Sequence, residues 1–147
     1  MKRNLLGVAA LSGMLLTGCI TIYSPAQSRM LAVQGSEFTQ HFPNTDQLHY
    51  FVALNVKKPQ DNELYLDVQY ENPCDAKDPI LDSITLDPKQ NKILLQSPPL
   101  ECVKASRYYK VKVKIYDSDD RSKAIDTLTQ RVYATLSSKD LVETLNP

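Results

Sequence analysis

Tyr108-Tyr109-Lys110-Val111-Lys112-Val113-Lys114-Ile115-Tyr116 is the stretch whose reading decides the fold. Tyr109, Val111, Val113 and Ile115 share one parity, and Tyr108, Lys110, Lys112, Lys114 and Tyr116 share the other. Successive side chains of a strand point to opposite faces, so this alternation predicts a strand with one apolar and one cationic face.

The same period recurs on both sides of it. Upstream, Leu48, Tyr50, Val52, Leu54 and Val56 form one face of a run whose other face, through Phe51 and Ala53, is also partly apolar, as in a central strand. Leu64, Leu66, Val68 and Tyr70 then alternate with Tyr65, Asp67 and Gln69. Pro59, Asp61 and Asn62 lie between these two runs and read as a hairpin connection. Asn72 to Pro79 is a loop, and Ser83 to Leu86 and Lys92 to Gln96 are two shorter strands separated by Asp87-Pro88-Lys89-Gln90-Asn91. Pro98-Pro99 breaks the chain again, Asp117 to Ser122 is a turn, and Ile125 to Leu136 is the last strand. Ser137, with Asp140 three residues on, is a candidate N-cap for a short terminal helix over Leu141, Val142 and Leu145. Six to seven short strands without an internal repeat predict an all-β fold: a small antiparallel β-sandwich, immunoglobulin-like, with a short C-terminal helix. An antibody-type domain carries a Trp between its cysteines, and this chain has no Trp, so the prediction stops at the architecture.

The chain of 147 residues is long enough for one domain. Its 17 Lys and Arg balance 17 Asp and Glu, and without a basic excess a nucleic-acid partner is not expected. Two His and four Gly leave little for histidine-based catalysis and nothing for a glycine-rich phosphate loop.

The amino terminus speaks to location. Lys2 and Arg3 precede an uncharged run from Leu5 to Leu16, the charged and apolar regions of a secretory signal peptide. Pro25 and several polar residues dilute the stretch after it, so it falls short of the roughly 20 apolar residues that span a bilayer. Leu16-Thr17-Gly18-Cys19 resembles the lipobox of bacterial lipoproteins. That resemblance implies cleavage before Cys19, a diacylglycerol on its thiol and a further acyl chain on the new amine, an anchor firmer than a single chain gives. Ile20, rather than Asp, follows the cysteine, which by the same resemblance implies sorting to the outer membrane with the domain facing the periplasm. The expected organisation is a signal peptide over 1–18, a tether over 19–46 containing one candidate strand at Arg29 to Gln34, and a sandwich domain over 47–147.

Removal of 1–18 takes Lys2, Arg3 and three of the four glycines, leaving Gly35 alone and two more acidic than basic residues. With Cys19 acylated, Cys74 and Cys102 remain as a pair in an oxidising compartment, and a disulfide between them is expected. The competing reading, two thiolates on a metal, lacks further ligands, because His41 and His49 lie far upstream and neither Cys has a second Cys nearby.

Three other features bear on chemistry. Asp117-Ser118-Asp119-Asp120 begins like a calcium loop, but Ser122 and Leu128 stand where Gly and a carboxylate are needed, so a solvated turn is the expectation. Lys110, Lys112 and Lys114 form a cationic stripe that reads in two ways. It is either a solvated face that discourages edge-to-edge pairing, or a docking stripe with Tyr108 and Tyr116 as aromatic anchors. No catalytic, metal or cofactor site is expected. The function that fits is a membrane-anchored, non-catalytic interaction module for a cell-envelope assembly with an envelope protein as partner. The alternative is an inhibitor or immunity lipoprotein directed at a toxin or a cell-wall hydrolase.

Overall fold

A computed structural model describes residues 26–39, 48–58, 60–117 and 119–134. The signal peptide, Cys19, His41 and the expected C-terminal helix lie outside the described residues. Within them the chain forms seven strands and no helix: β1 (Leu31–Thr39), β2 (His49–Val56), β3 (Leu64–Tyr70), β4 (Ile80–Leu86), β5 (Lys92–Gln96), β6 (Tyr108–Tyr116) and β7 (Asp126–Tyr133).

They make two antiparallel sheets, ordered β1-β2-β5 and β4-β3-β6-β7. The inward parity of each strand is the apolar one: Tyr50, Val52 and Leu54 of β2 meet Leu66, Val68 and Tyr70 of β3 and Val111, Val113 and Ile115 of β6 in a single buried cluster. This is the small β-sandwich that the alternation predicts. It is immunoglobulin-like in passing between sheets after β2, β4 and β5, but β4 stays beside β3 instead of joining the first sheet.

Two sequence expectations are corrected. The segment between β2 and β3 is not a hairpin connection, because β2 pairs with β1 and β5 while β3 pairs with β4 and β6, so the chain crosses from one sheet to the other there. Pro, Asp and Asn mark a reversal but do not specify which strands it joins. The tether also ends earlier than expected. β1 is a full member of the first sheet, with Leu31 and Val33 in the core, so the folded domain begins by Ala26 and not at residue 47.

The two flanks of the sandwich differ. On one, β1 runs beside β7 and the seam is closed by Gln130, whose buried amide accepts from Ala26 N–H (3.1 Å) and donates to the Ser36 hydroxyl (3.0 Å). Lower on the same seam Asp126 accepts from Met30 N–H at 2.9 Å, and Arg29 donates to the Ile125 carbonyl. On the other flank β4 and β5 are edge strands with no further strand beside them among the described residues. Asp82, turned to the inner parity of β4, is the kind of charge that discourages a further strand from adding there.

Candidate functional site

The outer face of the four-stranded sheet gathers the features that sequence reading singled out. The register sets Lys110 opposite Arg131, Lys112 opposite Thr129 on β7 and Gln69 on β3, and Tyr108 opposite Tyr133. Tyr108 and Tyr133 are 49% and 40% exposed, with ring centroids 4.7 Å apart and planes inclined at 47°. Large aromatics that stay in water on a folded domain are the residues protein interfaces favour.

Beside this pair the surface is hollow. A concavity of about 630 Å³ is bounded by Lys110, Lys112 and Arg131 on the sheet, by Arg107 and Tyr108 where β6 begins, and by Ala76 and Pro79 of the β3–β4 loop. Glu71 forms part of its floor. It pairs with Arg107 at 3.0 Å and accepts from Lys110 backbone N–H at 3.0 Å, holding the start of β6 against the end of β3. Arg107 also lies 5.0 Å over the Tyr109 ring.

The walls are held from outside the sheet. Cys74 in the β3–β4 loop and Cys102 in the β5–β6 loop are joined, with Cα atoms 5.1 Å apart. The β5–β6 loop is tied in turn to the end of β7, through Ser106 N–H to the Ala134 carbonyl and Ala134 N–H to the Arg107 carbonyl, both 2.9 Å. Two residues of that loop, Cys102 and Ser106, take left-handed backbone with φ of 57°, a conformation that costs a non-glycine residue energy and that the bridging contacts maintain. The hollow is therefore built on fixed backbone at the strand ends.

The other sequence candidates separate from it. Tyr116 shares the parity of the lysines but is 6% exposed, so it does not serve as an anchor on this surface, and Tyr133 takes the second aromatic position. Lys114 lies opposite Asp67, which is already ion-paired with Arg121 at 2.8 Å, and it does not border the hollow. Residues of β7, read as the last strand, do not enter the predicted stripe because alternation alone does not say which strand lies beside β6. The signal was present in the outward parity of Arg131 and Tyr133.

Behind the hollow the core holds three buried tyrosines. Tyr50 stacks on Tyr70 at 6.0 Å and meets Tyr109 at 5.8 Å. Burial, then the neighbouring Tyr109 and Glu71, push the Tyr50 phenol well above its ordinary range. Burial and Asp82 do the same for Tyr70. The Tyr50 and Tyr70 phenols therefore stay protonated. The hydroxyls brace the core: Tyr50 donates to the Glu71 carbonyl at 3.0 Å, and Tyr109 accepts from Lys104 N–H at 2.7 Å. His49, 7% exposed, is bonded through Nδ1 to the Ser97 carbonyl at 2.7 Å and braces β2 against the end of β5. Among the described residues no cluster of His, Cys, Asp and Glu is arranged to hold a metal ion. On the opposite sheet Leu94, 62% exposed, borders a smaller depression together with Gly35, Ser36, Phe51 and Ala53. Comparison with protein families, curated proteins and solved structures finds no match to this chain.

Proposed function

We propose that this chain is a lipid-anchored envelope protein, held by Cys19 in the outer membrane, whose periplasmic sandwich acts as a non-catalytic interaction module for an envelope assembly. The observation that carries the reading is the division of its three cysteines. One stands at the end of a lipobox-like stretch, and the other two meet in a disulfide, a bond that persists in oxidising compartments and is rare in the cytosol. The exposed tyrosine pair beside clustered cations supports an interaction role, since it gives a partner aromatic anchors and charge on rigid backbone.

Crosslinking in living cells, followed by detergent extraction and mass spectrometry, tests this for the wild type against Cys19→Ser. The expected result is that Cys19→Ser leaves the membrane fraction and that a defined set of envelope proteins is recovered only with the anchored form. Persistent membrane fractionation of Cys19→Ser would remove the anchor. An empty recovery with the wild type would remove the assembly role.

A further inference from the structure

We infer that the hollow on the β6–β7 face takes an extended acidic peptide segment, with carboxylates on alternate residues, lying along β6. The inference rests on the reading of the domain as an interaction module and gives its partner a chemistry.

Charge complementarity is the first argument. Four cations border the hollow, and their pairing is uneven. Arg107 is matched by Glu71. Lys110 and Lys112 have no carboxylate of the described residues within ion-pairing distance, and Arg131 stands directly across from Lys110. Positive charge is thus concentrated inside a concavity, where low-dielectric walls strengthen its field. The overall charge balance of the chain contributes nothing to it.

Spacing is the second argument. Lys110 and Lys112 are alternate residues of one strand, so their side chains leave the same face roughly 7 Å apart. An extended peptide sets its own alternate side chains at that same repeat. An acid-X-acid segment therefore meets the two ammonium groups one to one. Tyr108 and Tyr133 at the rim receive an apolar residue that flanks the acids. The match between the lysine spacing and the repeat of an extended chain favours a peptide over a layer of headgroups, which has no such repeat.

The test uses the full chain carrying Cys19→Ser, so that no lipid anchor contributes. Fluorescence anisotropy would follow a labelled, end-blocked octapeptide of alternating Glu and Thr, its Lys-and-Thr counterpart, and phosphatidylglycerol-containing vesicles. The acidic peptide is expected to bind, more weakly as salt rises, and the basic one is not. Lys110→Glu with Lys112→Glu should weaken binding by about tenfold or more, while Lys89→Glu with Lys92→Glu, the same charge change elsewhere, should stay within about twofold. Should the double Glu variant fail to fold, Lys110→Gln with Lys112→Gln reads the same loss at about threefold to fivefold. Equal binding by the variants at 110 and 112 would overturn the inference. Vesicle binding without peptide binding would also overturn it and assign the face to a lipid surface. The two readings fail separately: loss of envelope partners in cells with peptide binding intact removes the assembly role and leaves the site, and the converse removes the site alone.

Discussion

Cutting the bond between Cys74 and Cys102 should cost the domain a calculable share of its stability. The bond joins residues 28 positions apart, and closing a loop of that size restricts the unfolded chain by about 3.5 kcal/mol at 25 °C on the chain-entropy model. Domains of this kind are stable by roughly 5–15 kcal/mol, so Cys74→Ala with Cys102→Ala should still fold but unfold earlier in urea. With a urea slope of about 1.5–2 kcal/mol per molar, the midpoint falls by about 2 M. Part of the native cost lies at Cys102 itself, whose φ of 57° is a left-handed conformation that a non-glycine residue adopts at about 1–2 kcal/mol. Glycine there relieves that cost but loses more freedom on folding, so Cys74→Ala with Cys102→Gly should be about 1 kcal/mol more stable than the Ala pair. The chain has no Trp, which makes near-ultraviolet circular dichroism of the buried tyrosines the natural probe. A midpoint that falls by less than about 0.5 M in both variants would refute the loop argument, and a Gly variant no better than the Ala one would refute the strain argument.

Tyr70→Phe and Tyr109→Phe should part company in a denaturation assay. The Tyr70 hydroxyl is buried without a hydrogen-bond partner among the described residues, so its removal should be neutral or stabilising, whereas loss of the Tyr109 hydroxyl strands Lys104 N–H and should cost about 1 kcal/mol. Gln130→Ala leaves Ala26 N–H and the Ser36 hydroxyl without their seam partner, at about 1–3 kcal/mol, and hydrogen exchange should rise first in β1; uniform protection would contradict the seam. Burial opposes ionisation of Asp126, but hydrogen bonds from the Ser28 hydroxyl and from Met30 and Thr127 N–H, with Arg29 nearby, outweigh it and hold the carboxyl below its ordinary range. Its contribution is complete above the unfolded carboxylate value and is lost as pH falls through the lowered folded one. The melting-temperature gap between wild type and Asp126→Asn should accordingly be constant above about pH 5 and shrink toward pH 2, and a gap independent of pH would rule the carboxylate out as its source.

How much of this was legible in the sequence depends on which physical rule each feature obeys. The strands of the core are set by alternation, and β3 and β5 begin and end where the pattern does. β4 begins three residues earlier than its pattern because Asp82 occupies an inward position that an edge strand tolerates. Only the first part of β1 was legible, as the candidate strand Arg29 to Gln34, for another reason. Its pairing with β2 slips between Val33 and Gly35, and a bulge shifts the parity of everything after it, so a strict period-two reading loses the strand midway. Parity also fixes a side chain's face and not its exposure, which is why Tyr116 shares a face with Lys110 and is nonetheless buried. The hollow itself needed the β6–β7 register and the disulfide-linked loops, contacts between residues far apart in the chain that local patterning does not carry.

The early start of β1 changes what an anchor at Cys19 would do. A tether reaching residue 46 lets a domain roam far from the bilayer, but Ala26 is already bonded to Gln130, and only seven residue steps separate it from Cys19. Fully extended, that length spans roughly 25 Å. Gln130 is the chain neighbour of Arg131, so the seam that receives the tether and the hollow on the outer face share one strand at one height. In the proposed lipoprotein the cationic hollow is therefore confined to the layer next to the membrane. Its partner must present its acidic segment within that layer, as a second membrane-bound protein does and a freely diffusing one does only at the cost of being localised. Lengthening the 20–25 segment with a flexible insert separates these cases: recovery of a membrane-bound partner should fall as the insert grows, while capture of a diffusing partner should not depend on it.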